Sequence, residues 1–328
     1  MNKPETGQFW TSFTLWVITG AAFVVTVYAF YPGYMGFDAA YQYWQVRNGS
    51  LTTQHPPFMV FIWMLTNSFI PGPGGMLVLN LVLYWLALKL IADALFTGLW
   101  PRVLLILILG FWPYNLLLIP NILKDVCMMA GLMMATAGML QFQKTRKPAW
   151  LVTVVLFSVY ASLMRHNAIF GALVLFFFVA RSLNGAGFLR SAMAFITLCA
   201  ATVSLNLMIT ELPIVKRQVV WPTLVLWDLA HISVREDVLL LPEFTVGPGM
   251  TTLELKSALN QWTNATLFSD TKSGINNGLY EAFSKEQYHA LLKAWVLAIA
   301  RYPASYLEHR AELSAGLYGR PDMKVYFC

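Results

Sequence analysis

The chain alternates long apolar runs with short polar breaks, and run length decides what each one can be. Runs able to cross a bilayer fall at residues 11–31, 76–97, 103–119, 124–142, 149–164, 168–183 and 191–210, because a crossing helix needs about 20 predominantly apolar residues. Several are short, which is tolerable where their ends sit in protein rather than lipid. Phe58–Ile70 is also apolar, but Pro57 and Pro71 hold it to 13 residues, the length of an interfacial or re-entrant helix. After residue 211 the pattern changes. Thr245–Gly278 is polar, turn-rich and loop-like. SKEQYHALLKAWVLAIA, residues 284–300, sets Tyr288, Leu291, Leu292, Trp295 and Ile299 along one helical face. Lys293 and Arg301 leave it too few apolar residues for a further span, and YPASYLEHRAEL follows as a second short helix. The pattern predicts an all-α polytopic membrane protein. A module of about seven transmembrane helices covers 1–211, with interfacial helices in a first outer loop at 32–75. A small outer region, mostly helical and loop-rich, covers 212–328.

Composition agrees with the pattern. The 328 residues are 58% hydrophobic and 12% charged, whereas soluble domains carry about 25% charged residues. Residues 1–211 hold eleven Lys or Arg against five Asp or Glu, and residues 212–328 hold eleven of each. The excess positive charge thus lies wholly in the membrane part, where it reports topology. A nucleic-acid partner would call for a basic patch on a soluble face instead. Cys127, Cys199 and Cys328 are scattered, which argues against a disulfide framework or a zinc site. The first apolar run lacks an A-x-A-like end and reads as an uncleaved anchor.

Seven spans put the termini on opposite sides. Lys144, Arg146, Lys147, Arg102, Arg181 and Arg190 then share the side of the N-terminus, which the positive-inside rule makes cytoplasmic. Counting Phe58–Ile70 as an eighth span would send residues 144–147 outside, against that rule. Three polar patches remain on the outer side of the membrane part: the first loop, NILKD (Asn121–Asp125) and MRHN (Met164–Asn167). Arg47, Lys124 and Arg165 are the basic residues before position 212 that break the bias. A phosphate or carboxylate partner at the outer surface would account for them.

No P-loop, dinucleotide fingerprint, HExxH or G-x-S-x-G occurs, so chemistry must come from residues converging at this boundary. Asp38 leads. On a short helix starting near Phe37, Gln42 and Gln45 share its face. Partial burial among aromatics would raise its pKa towards that of a general base; the plainer alternative is a first-turn or N-cap acid. His55 either contacts substrate or caps the following helix. Asp125 suits a helix N-terminus, while Lys124 there needs a partner, either Asp125 or a lipid phosphate. Arg165 either snorkels to headgroups or forms a site with His166 and Asn167. Farther on, Asp228 and His231 are three apart on a helix, as a structural or a catalytic pair. Glu308 and His309 read as solvated, and Arg310 as a phosphate ligand.

The order of these motifs, one span, an outer loop with an acid and aromatics, HPP at 55–57, a juxtamembrane helix, LKD, RHN and then W..AI..P..Y..HR, resembles the C-type (GT-C) glycosyltransferases. That superfamily includes the protein O-mannosyltransferases and the bacterial aminoarabinose transferases, and the chain is similar to a group of poorly characterised bacterial membrane proteins related to them. The resemblance implies a sugar donor carried on polyprenyl phosphate. It also implies catalytic roles for Asp38 and Asp125, with Pro56-Pro57 as the Pro-Pro element. Asp38 is followed by Ala39 rather than a second acid, which puts a metal-bridged donor in doubt; no cofactor is fixed, and a divalent metal stays open without support from ligand spacing. The expectation is a periplasmic-side transferase in a bacterial inner membrane. Asp38 would be the base, Lys124, Arg165 and Arg310 would hold the donor phosphate, and Gln42, His55, His166 and Asn167 would hold sugar or acceptor. The acceptor is a glycan, a lipid or a protein. The alternative is a non-enzymatic transporter or lipid flippase, a class that places ionisable groups near mid-membrane in repeated halves. A membrane acyltransferase is a third class, for which no His-acid pair stands out inside a span.

Overall fold

The computed structural model describes residues 4–184, 187–260, 263–269, 274–279 and 281–317; Cys328 and parts of the polar stretch 245–278 lie outside them. The chain is mostly helical, with fifteen α-helices and two two-residue strands among the described residues. It divides into two compact units, Met1–Lys216 and Arg217–Cys328.

The first unit runs α1 (Pro4–Phe30), α2 (Phe37–Asn48), β1 (Leu51–Thr52), α3 (Pro57–Phe69), α4 (Gly74–Leu95), α5 (Leu99–Gly110), α6 (Pro113–Leu118), α7 (Lys124–Thr145) and α8 (Ala149–Met164). A 3₁₀ turn at His166–Ala168 leads into α9 (Ile169–Asn184), followed by α10 (Phe188–Thr210) and β2 (Val215–Lys216). Five stretches are long and apolar enough to cross a membrane: Trp10–Phe30, Gly74–Leu95, Lys124–Thr145, His166–Leu183 and Phe188–Thr210. The other two expected spans come out shorter. α8 has 16 residues, about 24 Å of helix. The run 103–119 is not one helix, because Pro113 cannot donate to the carbonyl of Leu109 and the chain breaks between α5 and α6. Leu109 O instead accepts from the Tyr84 hydroxyl at 2.9 Å and from Asn115 Nδ2 at 2.7 Å, so the freed carbonyl stays satisfied in apolar surroundings.

α7 packs between α4 and α8, α9 lies on α8 and α10 on α9. Small residues on α7 allow a close approach to α8: a Cβ on Gly131 would come within 2.7 Å of Tyr160, and one on Gly138 within 3.2 Å of Thr153. α1 buries a narrow stripe of Leu15, Thr19, Ala22 and Thr26, the helical repeat of a one-sided contact. Trp85 of α4 donates to Thr26 Oγ1 at 3.0 Å. At one end of the bundle, Lys89 and Arg102 pair with Asp93 at 2.7 and 3.3 Å, and Lys144 donates to the Asp93 carbonyl. The 22 residues of α7 carry the chain about 33 Å from Lys144 to the other end at Lys124. There β1 pairs in parallel with β2, Leu51 opposite Val215 and Thr52 opposite Lys216. Residues 212–216 thereby belong with the first unit.

The second unit holds α11 (Trp221–Glu236), a 3₁₀ turn at Glu243–Thr245, α12 (Thr252–Ala258), α13 (Ala265–Ser269), α14 (Lys285–Arg301) and α15 (Pro303–Leu317). Thr251 with Glu254 and Ser284 with Gln287 form capping boxes that start α12 and α14. Leu226, Leu229 and Ile232 of α11 are buried in one cluster with Leu291 and Ala298 of α14. Leu292 is exposed instead, so the apolar face of α14 is narrower than its sequence suggests.

Candidate functional site

The loop between α1 and α2 carries the first outer-loop acid to the start of α7. Gly33 turns the chain with φ +99, a left-handed value open to glycine. A Cβ there would also meet Ile122 Cδ1 at 2.9 Å and Pro120 O at 3.2 Å. Tyr34 then forms a short parallel bridge: its N–H donates to Pro120 O at 2.9 Å and its carbonyl accepts from Ile122 N at 2.8 Å. α2 starts three residues after Tyr34 and α7 two residues after Ile122. The bridge therefore sets the first turns of the two helices side by side. Ala39, Met59, Trp63, Met76, Ile122, Cys127 and Met164 form the apolar floor beneath them.

On that floor Lys124 Nζ donates to Asp38 Oδ2 at 2.9 Å and sits 3.0 Å from His55 Nδ1. His55 Nε2 lies 3.7 Å from Asp38 Oδ1, too far for a hydrogen bond. Nδ1 is thus the acceptor and Nε2 carries the proton. Burial and the Lys124 charge push His55 below the usual imidazole range, against a smaller opposing pull from Asp38, so the ring is neutral at pH 7. Beside this trio Arg165 pairs with Asp125. Lys124 therefore pairs with Asp38 rather than with Asp125. His55 does not cap α3, which has Pro56 at its N-cap and no side-chain cap bond.

One expectation is reversed. Burial pushes the Asp38 carboxyl up, but the hydrogen bond from Lys124, the charge of His55 once acid protonates it, and the charges of Lys124 and Arg165 together hold it below the usual carboxylate range. A base with a raised pKa would need the cation removed. Asp38 is nonetheless reachable, with 47% of its side chain exposed.

The remaining expected residues are spread. Gln42 and Gln45 do share the Asp38 side of α2, but both are buried. Gln45 Oε1 accepts from Thr52 N at 3.0 Å, a structural tie to β1. Gln42 is closed to a sugar as it stands, and its Nε2 has no partner among the described residues. His166 and Asn167 are exposed in the turn next to Arg165. Sequence reasoning missed buried Asn80 and half-buried Tyr160, whose polar groups lie beside Cys127 of the floor; a polar residue inside an apolar run is the signal that marks Asn80.

Arg310 belongs to a different constellation, in the second unit. Asp228 accepts from Trp295 Nε1 at 2.9 Å and from Arg310 Nη2 at 2.5 Å, and His309 Nε2 lies 3.4 Å from its other oxygen. His309 is 3% exposed, not solvated, because its ring is stacked on His231 with centroids 3.7 Å apart. Burial, and then the neighbouring His309, push His231 down to about 4. Glu308 pairs with Arg235 at the surface. Among the described residues no three His, Cys, Asp or Glu side chains form a group able to hold a metal ion.

Comparison of the chain with protein-family models, with curated proteins and with solved structures gives no match.

Proposed function

We propose that the chain is a GT-C-type membrane glycosyltransferase that takes a sugar from a polyprenyl-phosphate donor at the periplasmic face of a bacterial inner membrane. The seven-span topology belongs to this reading: α5 with α6, and α8, complete the five longer helices, with the N-terminus cytoplasmic. The observation that carries it is the reachable Asp38 carboxylate, bonded to Lys124 and adjoined by the Asp125–Arg165 pair, at one end of an apolar bundle. Two cations already placed at a membrane boundary suit a phosphate leaving group, and both are held by carboxylates that a phosphate can displace.

The sequence of events follows from that competition. The donor phosphate takes Lys124 and Arg165, which removes the hydrogen bond and part of the positive field that hold Asp38 down. Asp38 then accepts the proton of an acceptor hydroxyl, whose oxygen attacks the anomeric carbon. The bond from that carbon to the phosphate oxygen breaks, and polyprenyl phosphate leaves with the electron pair, stabilised by the same two cations. Neutral His55, with its proton on Nε2, orients Lys124 before the donor arrives. Among the described residues of the first unit, ion pairs gather at the two ends of the bundle, which favours this reading over a transport pathway with mid-membrane charges. The test is transfer of sugar from a synthetic polyprenyl-phosphate donor in proteoliposomes. Asp38→Asn is expected to abolish transfer while insertion and expression stay normal, and near-normal transfer by that variant would remove Asp38 as the base.

A further inference from the structure

His55 is the member of the Asp38–Lys124 trio whose charge changes near neutral pH. It stands in the loop between β1 and α3 with 12% of its side chain exposed. α2 brings Asp38 to it, and Tyr41, whose ring meets the imidazole edge-on at 6.2 Å. α7 brings Lys124, with Nζ 3.0 Å from Nδ1, and Asp125 next in the chain. The turn after α8 brings Arg165, which is taken by Asp125, with His166 exposed beside it. α3 carries no charged residue, and Lys216 on the strand paired with β1 is exposed.

Two features of this surround matter. The charges cancel, Lys124 and Arg165 against Asp38 and Asp125, while the imidazole is neutral. The imidazole is also neutral for a reason that a ligand removes, since burial and the adjacent Lys124 charge hold it so. A bound phosphate diester adds one negative charge to a part-buried cluster, which is costly without a counter-charge. It also draws Lys124 off Nδ1 and leaves a mostly buried acceptor unpaired. Both changes favour a proton on that nitrogen.

We infer that binding of a phosphate diester at Lys124 and Arg165 is coupled to uptake of one proton by His55, which becomes the third cation on the phosphate. The inference rests on the phosphate site of the glycosyl-transfer reading. The proton comes from solvent and settles on Nδ1, and no covalent bond to carbon or phosphorus changes in this step. Its charge offsets that of the phosphate, so Asp38 still loses the hydrogen bond from Lys124 without gaining a net positive field. Asp38 and Asp125 are the competing proton acceptors. An ordinary carboxylate starts about 3 pH units below neutrality and an ordinary imidazole about half a unit, which favours His55.

The test is binding of methyl farnesyl phosphate, a diester with one negative charge and no sugar, to the full chain in nanodiscs, with empty nanodiscs as the blank. Affinity should rise about tenfold from pH 8 to pH 6, within the limit of about tenfold per pH unit for one coupled proton. Calorimetry at pH 7 in two buffers of different ionisation enthalpy should register the uptake. His55→Gln keeps an oxygen for Lys124 and should bind equally at both pH values without taking up a proton. Asp38→Asn should keep the uptake. In the unaltered chain with labelled histidine, one of the five histidine ring signals should move to the imidazolium position when the diester is added, a reading that needs no variant. Tighter binding of the farnesyl diester than of dimethyl phosphate marks the ligand as a lipid and equal binding as a soluble diester; proton uptake is required of both. Binding without pH dependence, or uptake that survives in His55→Gln, overturns the inference and leaves the transferase reading standing. No binding of either diester also overturns it. Uptake that follows His55 in a chain without transfer activity keeps the inference and sinks the transferase reading.

Discussion

The molecule contains two constellations built from the same parts, an aspartate, a histidine, a cation and flanking aromatics, with opposite access to the outside. Asp38 is 47% exposed with Lys124 and His55 around it, whereas Asp228 is fully buried with Arg310, His309 and Trp295 around it. The difference lies in what holds each acid. Asp38 sits in the first turn of a helix held against the start of α7 by a loop bridge and one small apolar cluster, so one of its sides stays open. Asp228 lies mid-helix on α11, where α14 and α15 close over it. Residue types therefore do not distinguish the candidate site from the sealed cluster; access does. A half-open ion pair can exchange its partner for a ligand, while a sealed one can only be kept or broken.

Substituting each acid should separate the two roles most strongly. Asp38→Asn is expected to cost transfer at least a hundredfold, the lower range for loss of a positioned base, with the melting temperature in detergent nearly unchanged. A variant that melts much earlier would make Asp38 a structural acid like Asp228. Asp228→Ala should do the reverse. Removing the carboxylate leaves the Trp295 N–H without its acceptor and Arg310, about a third exposed, without its acid, a loss of about 2 kcal/mol that thermal unfolding monitored by circular dichroism should register. A stable Asp228→Ala protein with lost transfer would move the second constellation into the chemistry.

Much of this was legible in the sequence, for a physical reason. Run lengths and Pro57/Pro71 mark α1, α3, α4, α7, α9 and α10, because helix length in a bilayer is set by its thickness. The start of α2 at Phe37 and of α7 at Lys124 follows from the acids that suit helix N-termini. The break between α5 and α6 was less visible, since Trp112-Pro113 sits in an otherwise unbroken apolar run and the partners that satisfy it, Tyr84 and Asn115, come from tertiary packing. For the site, the grouping of Asp38, His55, Lys124, Asp125 and Arg165 was foreseeable from topology, but the pairing was not. Adjacent Lys124 and Asp125 look like partners on paper; on a helix successive side chains diverge, and each finds its partner on another element. Burial of Gln42 and His309 likewise depends on which face the neighbouring helices cover, which short motifs do not encode.

Acid should strain both constellations through their depressed histidines, the sealed one through His231 and the open one through His55. His231 has a folded pKa of about 4 against about 6.5 in an unfolded chain. Between those values the unfolded chain binds the extra proton, so stability is full above about pH 6.5 and falls as pH drops towards 4. Asp38, held below its unfolded value of 3.8, adds stability that is lost only below that pH. A melting series from pH 7 to pH 4 should therefore fall for wild type and fall less steeply in His231→Gln, the remaining slope belonging to His55 and His166. A slope unchanged by that substitution would assign the acid sensitivity elsewhere. Lys124→Gln offers the matching probe of the open site: freeing Asp38 from its cation moves its titration upward, so the acidic limb of the transfer profile should shift to higher pH.

The smallest expected change tests why the open constellation forms at all. Gly33 adopts a left-handed conformation, and its neighbour Tyr34 bridges to Asn121. Gly33→Ala imposes a strained backbone, about 1–2 kcal/mol for a non-glycine residue in that region, and places a methyl against Ile122. The far end of Ile122 can yield, but the Pro120 carbonyl cannot move without loosening the bridge. Because the bridge aligns the first turns of α2 and α7, a slight loss of stability should come with a larger loss of transfer, as Asp38 and Lys124 drift from their 2.9 Å contact. Gly49→Ala makes the control. It too has a positive φ, but open space surrounds it, so it should lose comparable stability and keep transfer. Equal losses of transfer in both variants would show that the bridge does not align the site.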